Sequence, residues 1–506
     1  MHLPDLTAKR ADLHPDRVAL VDPDRGREIT YGQLENRASR LAEFLRDNWE
    51  IRTGDRIATL AHNRVDAVEL LFACAKVGAV MVPLNWRLAR AELEYILDDA
   101  EVVGLVHDAP HTEMAHTVAA DVAGARGAIR LLSFDEDYEA ALASASGSAV
   151  VHAPREESAL WYLLYTSGTT GRPKGVQQTA GMALVNHLNI GMAAGITSDD
   201  VFLSVLPQFH TGGWNLYVLP MMFVGGTAII PSTFDPAQTL GILRERATVF
   251  FGVPTIYQML AEHRDFTTTD LSGVRSWSAG GAAMPVPLLE RLAEQGVSVR
   301  QGMGMTETGP TVFLLDEDNA IAKAGSVGKP QPFVDVRLVD EDGRDVAPGN
   351  PGELLIRGPG VTPGYWRNEA ATKEAFEEGW LHSGDVARQD EDGFFYIVDR
   401  VKDMYISGGE NVYPAEVEAV LHRIPGVRTA AVIGIPDERW GEVGRALIEV
   451  EPGVELNEAA VRRHCREHLA GYKVPASVQV VSDLPRGATG KVLKHMLRAE
   501  QQEVDA

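Results

Sequence analysis

Short apolar runs of strand length alternate with segments of helical periodicity through the first half of the chain. Strand-like runs are predicted at 57–60, 79–84, 102–106, 160–165, 201–206, 227–230, 249–251 and 274–276, with helical stretches between them. Thr30 and Gln33 are spaced as in a capping box, which predicts that one of those helices begins there. Such alternation favours parallel sheets covered by helices on both faces, with ligands bound beyond the carboxyl ends of the strands.

The pattern of turns and apolar runs changes twice further along the chain. From about residue 325 to 400, Asp-Gly turns separate short alternating runs, which indicates antiparallel hairpins. After Arg400 a new pattern begins, with strands predicted at 429–433 and 446–450 and a helix over 457–469. The predicted fold is therefore α/β: an N-terminal domain over 1–400, with two helix-covered, mostly parallel sheets and a β-rich subdomain, and a small mobile α+β domain over 401–506.

Composition excludes several classes of protein. The 506 residues carry a net charge of −24, so the overall field repels nucleic acid, and an anionic ligand needs a local cationic cluster. Cys74 and Cys465 are the two cysteines, too few for a disulfide framework, which indicates a reducing cytoplasm. The stretch 201–234 contains no Asp, Glu, Lys or Arg, yet its Pro and Gly residues divide it into pieces too short to span a membrane. We interpret it as buried core.

A loop rich in glycine and hydroxyl groups is the most informative segment. It reads YTSGTTGRPKG over 165–175, between an apolar strand and a helix expected from about Ala180. Backbone N–H groups, hydroxyls and one lysine can together hold a polyphosphate. The residues predicted to do so are Thr166, Ser167, Gly168, Thr169, Thr170, Gly171 and Lys174. The loop does not have the spacing of the standard NTPase loop, because Lys174 follows Pro173 and precedes Gly175.

The loop resembles the signature of the AMP-forming, adenylate-forming superfamily, which includes acyl-CoA and aryl-CoA synthetases, firefly-type luciferases and peptide-synthetase adenylation domains. The resemblance extends from about Thr30 to Leu497 and includes further motifs in the family's order. It implies ATP, Mg²⁺ and CoA as ligands. It also implies a mobile C-terminal domain that turns about a hinge, here at Lys402.

The resemblance assigns nucleotide and metal contacts residue by residue. In QGMGMTET over 301–308, Glu307 with Thr166 is expected at the metal and Thr306 at the α-phosphate, while Met303 stands where tyrosine is common. Asp385 and Arg400 are expected at the ribose. Lys491, in PRGATGK over 485–491, is expected to be the catalytic lysine of adenylation. The remaining residues expected at ATP are Gly281, Ala282, Gly302, Gly304 and Met305.

Other motifs are assigned to the acid and to the thiol. PQFHTGGW over 207–214 places His210 beside the carboxylate and Trp214 at a position that gates the acyl tunnel in fatty-acid ligases. Gly280 and Gly281 would lie against the acyl group. The segment SGGEN over 407–411 matches the loop that lines the pantetheine tunnel, which assigns Ser407, Gly408, Gly409 and Glu410.

These residues predict an ATP-dependent ligase that joins a hydrophobic acid, a medium or long fatty acid or an aryl acid, to CoA through an acyl-adenylate. The alternative is a stand-alone adenylation enzyme that loads the pantetheine of a carrier protein. A kinase or NTPase lacks support because the spacing of the standard NTPase (Walker) loop is missing. A non-catalytic nucleotide sensor lacks support because Lys491, Glu307 and Arg400 are all present. The expected partners are small molecules and a possible second copy of the chain, with no nucleic acid and no integral membrane segment.

Overall fold

The computed structural model describes residues 2–123, 127–146, 155–166, 172–408, 410–437, 439–487 and 490–504. Its helices are α1 Leu6–Leu13, α2 Tyr31–Asp47, α3 Val65–Val77, α4 Arg90–Asp99, α5 Thr112–Val122, α6 Tyr138–Ser144, α7 Ala180–Ala194, α8 Thr211–Trp214, α9 Val218–Val224, α10 Pro236–Glu245, α11 Pro254–Glu262, α12 Val286–Ala293, α13 Glu369–Ala375, α14 Pro414–Leu421, α15 Glu458–His468 and α16 Lys494–Val504.

The strands follow one another as β1 His2–Leu3, β2 Val18–Asp22, β3 Arg27–Thr30, β4 Arg56–Leu60, β5 Val80–Pro83, β6 Val102–His107, β7 Arg130–Ser133, β8 Arg155–Glu156, β9 Leu160–Thr166, β10 Lys174–Thr179, β11 Val201–Leu203, β12 Thr227–Ile229, β13 Val249–Gly252 and β14 Ser276–Ala279. They continue as β15 Val299–Met303, β16 Phe313–Leu314, β17 Lys329–Pro330, β18 Asp335–Val339, β19 Gly352–Arg357, β20 Phe376–Glu377, β21 Trp380–Gln389, β22 Phe395–Arg400, β23 Tyr405–Ser407, β24 Glu410–Val412, β25 Val427–Asp437, β26 Gly441–Val450 and β27 Ser477–Val480.

Two large sheets, each parallel in its centre, confirm the predicted α/β class. The first has the order β10-β9-β5-β4-β6-β7, and the second has the order β17-β16-β15-β14-β13-β11-β12-β2-β3. Antiparallel strands lie only at their margins: β10 in the first sheet, and β3, β16 and β17 in the second. Helix α2 begins at the predicted capping box, since Thr30 and Gln33 exchange side-chain hydrogen bonds with each other's backbone N–H.

The largest hydrophobic cluster joins the two large sheets through helices. It contains Leu34 and Leu41 of α2 and Leu71 of α3, together with Phe202 of β11 and Phe250 of β13. Within the uncharged stretch 201–234, residues such as Tyr217 and Leu219 have no exposed surface. Among the described residues, no helix is both long enough and apolar enough to cross a membrane. The expectation of buried core is thus confirmed for this stretch.

Besides the short antiparallel pair of β1 with β8, two smaller sheets complete the described part of the chain. Strands β18, β19, β20, β21 and β22 form an antiparallel sheet, as the Asp-Gly turns predict. Strands β23 to β26 form a second antiparallel sheet, to which β27 adds in parallel. Helices α14 and α15 contribute Val417 and Val461 to the hydrophobic cluster behind this last sheet. The last sheet and its helices have the α+β composition expected of the C-terminal region.

Some predicted bounds need correction. The strand predicted over 201–206 ends at Leu203: Ser204 N–H still donates to Ile229 O, and Val205 to Pro207 then lead toward α8. The strand predicted over 274–276 begins only at Ser276, after a turn in which Val274 N–H donates to Leu271 O. Strand β10, between the glycine-rich loop and α7, was not predicted at all.

Candidate active site

The two ends of the glycine-rich loop are held side by side by the first sheet. Thr166, the last residue of β9, is the antiparallel partner of Lys174, the first residue of β10. The next pair joins Tyr165 to Gly175, where a Cβ atom would come within 2.9 Å of the tyrosine ring. A hairpin closed in this way holds Thr166 and Lys174 at the same point. The predicted phosphate contacts Ser167, Gly168, Thr169, Thr170 and Gly171 lie outside the described residues.

Glu307 lies in a 3-10 turn, Thr306–Thr308, that follows β15. Its side chain is buried, and Oε1 accepts a 2.9 Å hydrogen bond from the hydroxyl of Tyr365. The same tyrosine ring lies 5.2 Å below the ammonium of Lys174, measured to the ring centroid. Tyr365 therefore connects the predicted metal ligand to the predicted phosphate lysine.

The chemistry of Glu307 fits a divalent cation. Burial raises the pKa of this carboxyl, and its hydrogen bond from Tyr365 and the charges of Arg400 and Lys174 only partly oppose that effect. No ion pair joins Glu307 to any other residue in the described ranges. A buried, poorly compensated carboxylate is a hard ligand of the kind that Mg²⁺ takes together with substrate phosphates.

Two charged residues meet across the third sheet. Asp385 on β21 is the antiparallel partner of Arg400 on β22, and Arg400 Nε lies 3.1 Å from Asp385 Oδ1. Burial raises the pKa of Asp385, and Arg400 and Lys491 act against this rise. Loss of hydration lowers the pKa of Lys491, an effect that Arg400 increases and that Asp385 and Asp403 oppose. Lys491 is thus within the electrostatic field of the predicted ribose pair.

The loop that carries Lys491 rests on the N-terminal part of the chain. A Cβ atom on Gly490 would lie 2.6 Å from Oγ1 of Thr255, at the start of α11, so glycine permits this contact. Arg486, earlier in the loop, bonds to Glu449 and Thr429 at 2.7 and 3.0 Å. Arg486, Gly487 and Gly490 all line the central cavity. Ala488 and Thr489 lie outside the described residues.

The central cavity has a volume of about 550 Å³ and extends from apolar walls to the predicted nucleotide loops. Its apolar lining consists of Trp86, Ile190, Val205, Leu206, Leu216, Tyr217, Phe234, Phe251, Val253, Ile256, Phe313 and Leu314. Gly280, Gly281, Gly302, Met303 and Gly304 line it as well. Among the described lining residues there is no Asp or Glu, and the positive charge comes from Arg87 and Arg486.

Gly304 has a backbone position that excludes any side chain, since an added Cβ would lie 1.3 Å from the carbonyl oxygen of Pro310. Gly281 follows β14 with a φ of +82°, and Ala282 next to it is exposed. Met303 pairs with Phe313 across β15 and β16, and Met305 is partly buried behind it. Gly281, expected at ATP, and Gly302, Met303 and Gly304, which precede the Thr306-Glu307 pair, thus line the same cavity.

His210 and Trp214 have different environments. His210 lines the cavity, and burial together with the positive charge of Arg87 lowers its pKa to about 4, so the ring is neutral at pH 7. Trp214 is only 1% exposed and belongs to the central hydrophobic cluster. It is not among the lining residues of the cavity described here, so its predicted part in gating the acyl group has no contact to support it.

The predicted thiol-binding loop lies in another part of the molecule. Ser407 and Glu410 pair across the β23–β24 hairpin, and Gly408 N–H donates to Trp440 O at 2.8 Å. Neither Ser407, Gly408 nor Glu410 lines the central cavity as described, and Gly409 lies outside the described residues. Lys402, the predicted hinge, is exposed in the turn between β22 and β23.

Sequence reasoning missed several residues of this region. Tyr365 was missed although Pro363-Gly364 before it signals a turn that can bring an aromatic residue back toward the loop. Trp86 and Arg87, which follow β5, line the cavity and lie against one another, with the guanidinium carbon 4.8 Å from the indole centroid. Their position at the carboxyl end of a parallel strand is the signal that could have identified them.

Comparisons with known proteins identify the family and the fold. The family described as AMP-binding enzyme matches residues 7–366, and its C-terminal domain family matches residues 416–491. A feruloyl-CoA synthase from Amycolatopsis sp. is 43% identical over 491 residues, 97% of each chain, and a long-chain-fatty-acid–CoA ligase from Mycobacterium tuberculosis is 35% identical over 97% of each. The crystal structure of ATP-bound MatB from Rhodopseudomonas palustris superposes with a TM-score of 0.92, at 33% identity and full coverage of both chains.

The fold and the family matches together define an enzyme that activates carboxylic acids with ATP. The chain belongs to the AMP-binding enzyme family. Its activity is that of an AMP-forming ligase of carboxylic acids and CoA, acting on an aryl or fatty acid.

Proposed function

We propose that the acid is a compact aromatic carboxylic acid, converted to an aryl-adenylate and then to its CoA thioester. The central cavity carries this proposal, because aromatic rings form much of its wall: Trp86, Tyr217, Phe234, Phe251 and Phe313. Aromatic pairs in offset or edge-to-face arrangements favour an aryl ligand beyond the burial of its area. The same cavity includes the nucleotide loops, which limits the length of chain that it can take.

The polar groups of the wall do not favour an amino acid. The amide of Asn63 is already used, since Nδ2 donates to Leu206 O and Oδ1 accepts from Gln208 N–H. Because no carboxylate is found among the described lining residues, an ammonium group would be buried without a partner there. The feruloyl-CoA synthase, with an aromatic acid in its name, is also more similar to this chain than the fatty-acid ligase is.

In the first half-reaction the carboxylate attacks the α-phosphate of ATP and pyrophosphate leaves. Two anions must approach one another, and Lys174, Arg400 and Lys491 provide the local positive charge despite the acidic chain. Glu307 and Thr166 would hold Mg²⁺, which neutralises phosphate charge when it is bound. We assign Asp385 to the ribose hydroxyls, from which a carboxylate can accept hydrogen bonds.

His210 would position the acid without adding charge. Its low pKa keeps the imidazole neutral, so one ring nitrogen can donate to the carboxylate of the acid while the other stays unprotonated. A neutral donor leaves the carboxylate nucleophilic, whereas a cationic one would hold its electrons more tightly. We therefore assign His210 to orientation of the attacking acid.

In the second half-reaction the thiol of CoA displaces AMP from the adenylate. We assign Ser407, Gly408, Gly409 and Glu410 to the pantetheine arm, and the region from Lys402 onward to a domain that turns between the two steps. Arg486, Gly487 and Gly490 of the lysine loop line the cavity while the described residues of the hairpin do not, which supports an assignment in which the two loops serve the site one at a time. We also place the enzyme in the cytoplasm, since Cys74 and Cys465 are both buried free thiols.

The test is a panel of acids assayed with ATP, Mg²⁺ and CoA, following AMP, pyrophosphate and the thioester. We expect kcat/KM for ferulate or cinnamate to exceed that for palmitate by at least about 10-fold, the scale on which a shaped apolar pocket discriminates. A phosphopantetheinylated carrier protein in place of CoA tests the alternative acceptor. Preference for palmitate would reject the aryl assignment, and loading of the carrier alone would reject CoA as the acceptor.

A further inference from the structure

Three side chains that the reaction does not use meet beyond the carboxyl ends of strands β4 and β6 of the first sheet. His62 follows β4, and Asp108 and His111 follow β6. Asp108 Oδ2 lies 2.8 Å from His62 Nδ1, and Asp108 Oδ1 accepts a hydrogen bond from His111. Ligand atoms that the three side chains can offer lie within 4.8 Å of one another. We call these three residues the His-Asp-His cluster.

The cluster occupies the point where the connections of the sheet diverge. Strand β4 lies between β5 and β6, so the chain crosses over β4 between those two strands. Helix α3, which follows β4, packs on the face where Ile57 points, while α4 and α5 pack on the face of Ala58 and Leu60. Loops that leave neighbouring strands toward opposite faces open a crevice, and ligands of open α/β sheets bind in such crevices.

The donors have the chemistry of a transition-metal site. His62 and His111 both direct Nδ1 at the carboxylate of Asp108, and Asp108 is only 4% exposed. Two imidazoles and a carboxylate are common ligands of Zn²⁺, which leaves a fourth position for water.

We propose that His62, Asp108 and His111 bind a divalent transition-metal ion, Zn²⁺ in the first instance. Each imidazole would carry its proton on Nε2 and present Nδ1 to the ion. Tetrahedral Zn²⁺ with bonds near 2.0–2.1 Å separates its ligand atoms by about 3.4 Å. His62 Nδ1 and Asp108 Oδ2, now 2.8 Å apart, would therefore separate slightly to admit the ion. The ion would thereby join the loops after β4 and β6.

The site would also act on the wall of the cavity. The ring of Trp86 lies 4.6 Å from the His62 ring and 5.7 Å from the His111 ring, and Trp86 itself lines the cavity. An ion that fixes both imidazoles would fix the indole packed on them. This role is structural and independent of which acid the enzyme takes.

The experiment measures metal on the full-length, tag-free enzyme without nucleotide. After treatment with EDTA and its removal, the protein is titrated with Zn²⁺ by calorimetry, and bound zinc is counted by mass spectrometry after gel filtration. We expect one equivalent per chain, and with Co²⁺ the visible absorption of a four-coordinate ion. His111→Ala, and His62→Phe, which keeps a ring against Trp86, should each weaken binding at least about 10-fold, the smallest loss seen even when only a supporting partner of a ligand is removed.

A matched control comes from a second cluster on α15, where His464, Glu467 and His468 could also hold an ion. His468→Ala should leave the equivalent of zinc in place. Zinc lost from His468→Ala but retained by His111→Ala would overturn the proposal, and so would a wild-type enzyme that retains none. Circular dichroism in EDTA establishes that each variant is folded before titration, and His62→Phe serves if His111→Ala is not.

Discussion

Glu307 is a carboxylate whose environment makes it sensitive to pH. Burial raises its pKa above the ordinary glutamate value, so acidification neutralises it earlier than an exposed glutamate. We expect adenylation to fall on the acid side at a pH above the ordinary range of a glutamate. Because metal and proton compete for the same oxygen atoms, excess Mg²⁺ should move this midpoint to lower pH.

The measurement is the pH dependence of acid-dependent pyrophosphate exchange at two concentrations of Mg²⁺. Glu307→Gln should abolish the acid limb and slow adenylation throughout by about 10- to 100-fold, the scale for damage around a metal. Glu410→Gln, in the exposed hairpin, is the matched control. A limb that persists in Glu307→Gln and ignores Mg²⁺ would assign the titration to another group.

We assign Lys491 to the adenylation half-reaction only. Lys491→Ala should slow adenylation on the order of 10²-fold or more, by analogy with removal of one preorganised donor at a developing charge. Thioester formation from pre-made acyl-adenylate should continue at nearly its usual rate. Pyrophosphate exchange and single-turnover reaction with CoA separate the two effects, and equal slowing of both would contradict the assignment.

At this scale, motif residues could be assigned from the sequence while their partners could not. The resemblance points to Glu307 and Lys174, but Tyr365, which contacts both, lies 58 residues from Glu307 along the chain and has no motif of its own. A residue's position in a motif also does not show how deeply its side chain is buried. Trp214 belongs to a pocket motif, yet the packing of α8 directs it into the central hydrophobic cluster.

In the segment from α8 to the following turn, one residue is expected to affect stability and another to affect the choice of acid. Trp214→Ala should cost about 3–5 kcal/mol of unfolding free energy, because it leaves a void in a packed core. Leu216→Ala, two residues on, removes a side chain from the cavity wall and should change the order of preferred acids with little loss of stability. Melting temperatures and kcat/KM for the acid panel measure both. An altered acid order in Trp214→Ala, with its stability unchanged, would restore the gating role.

Elements with strong periodicity were predicted well, and marginal ones were not. Helix α15 runs from Glu458 to His468 against a prediction of 457–469, and the side chain of Asn457 caps its start by accepting a hydrogen bond from Ala459 N–H. Strand β10 was missed because Lys174, Gln177 and Gln178 interrupt the apolar pattern. Its pairing with β9 and the bond from Gln178 to Thr306 O stabilise it through partners distant in sequence.

The region after Arg400 is predicted to move as a unit between the half-reactions. Lys402→Pro should restrict this motion, since proline fixes φ near −65°. Pyrophosphate exchange should stay near normal, while transfer of the acyl group from its adenylate to CoA should fall sharply. Lys402→Ala is the control, because it removes the side chain and keeps the backbone free. Normal transfer in Lys402→Pro would exclude a pivot at this residue.

For the whole molecule, the sequence predicts the fold class and the division into separate sheets, but it does not predict the contacts between them. The change in texture near residues 325 and 400 corresponds to separate sheets in the structure. How the last sheet rests on the first part depends on surface contacts with no periodic signal, such as the 3.7 Å ion pair between Arg428 and Glu262 and the approach of Gly490 to Thr255. Such contacts depend on the shapes of the two folded surfaces, which the composition of the chain does not reveal.

The register of β21 and β22 has a consequence for how motion and nucleotide binding are coupled. Asp385 and Arg400 face each other at the end of the sheet, and Val401 N–H still bonds to Gly384 O, one residue before Lys402. A nucleotide held by this pair would anchor the fixed side of the pivot while the far side remains free. In deuterium exchange, AMP should then slow the amides of 395–401 and leave those of 403–408 exchanging as before, so that the boundary between protected and unprotected amides marks the axis of rotation.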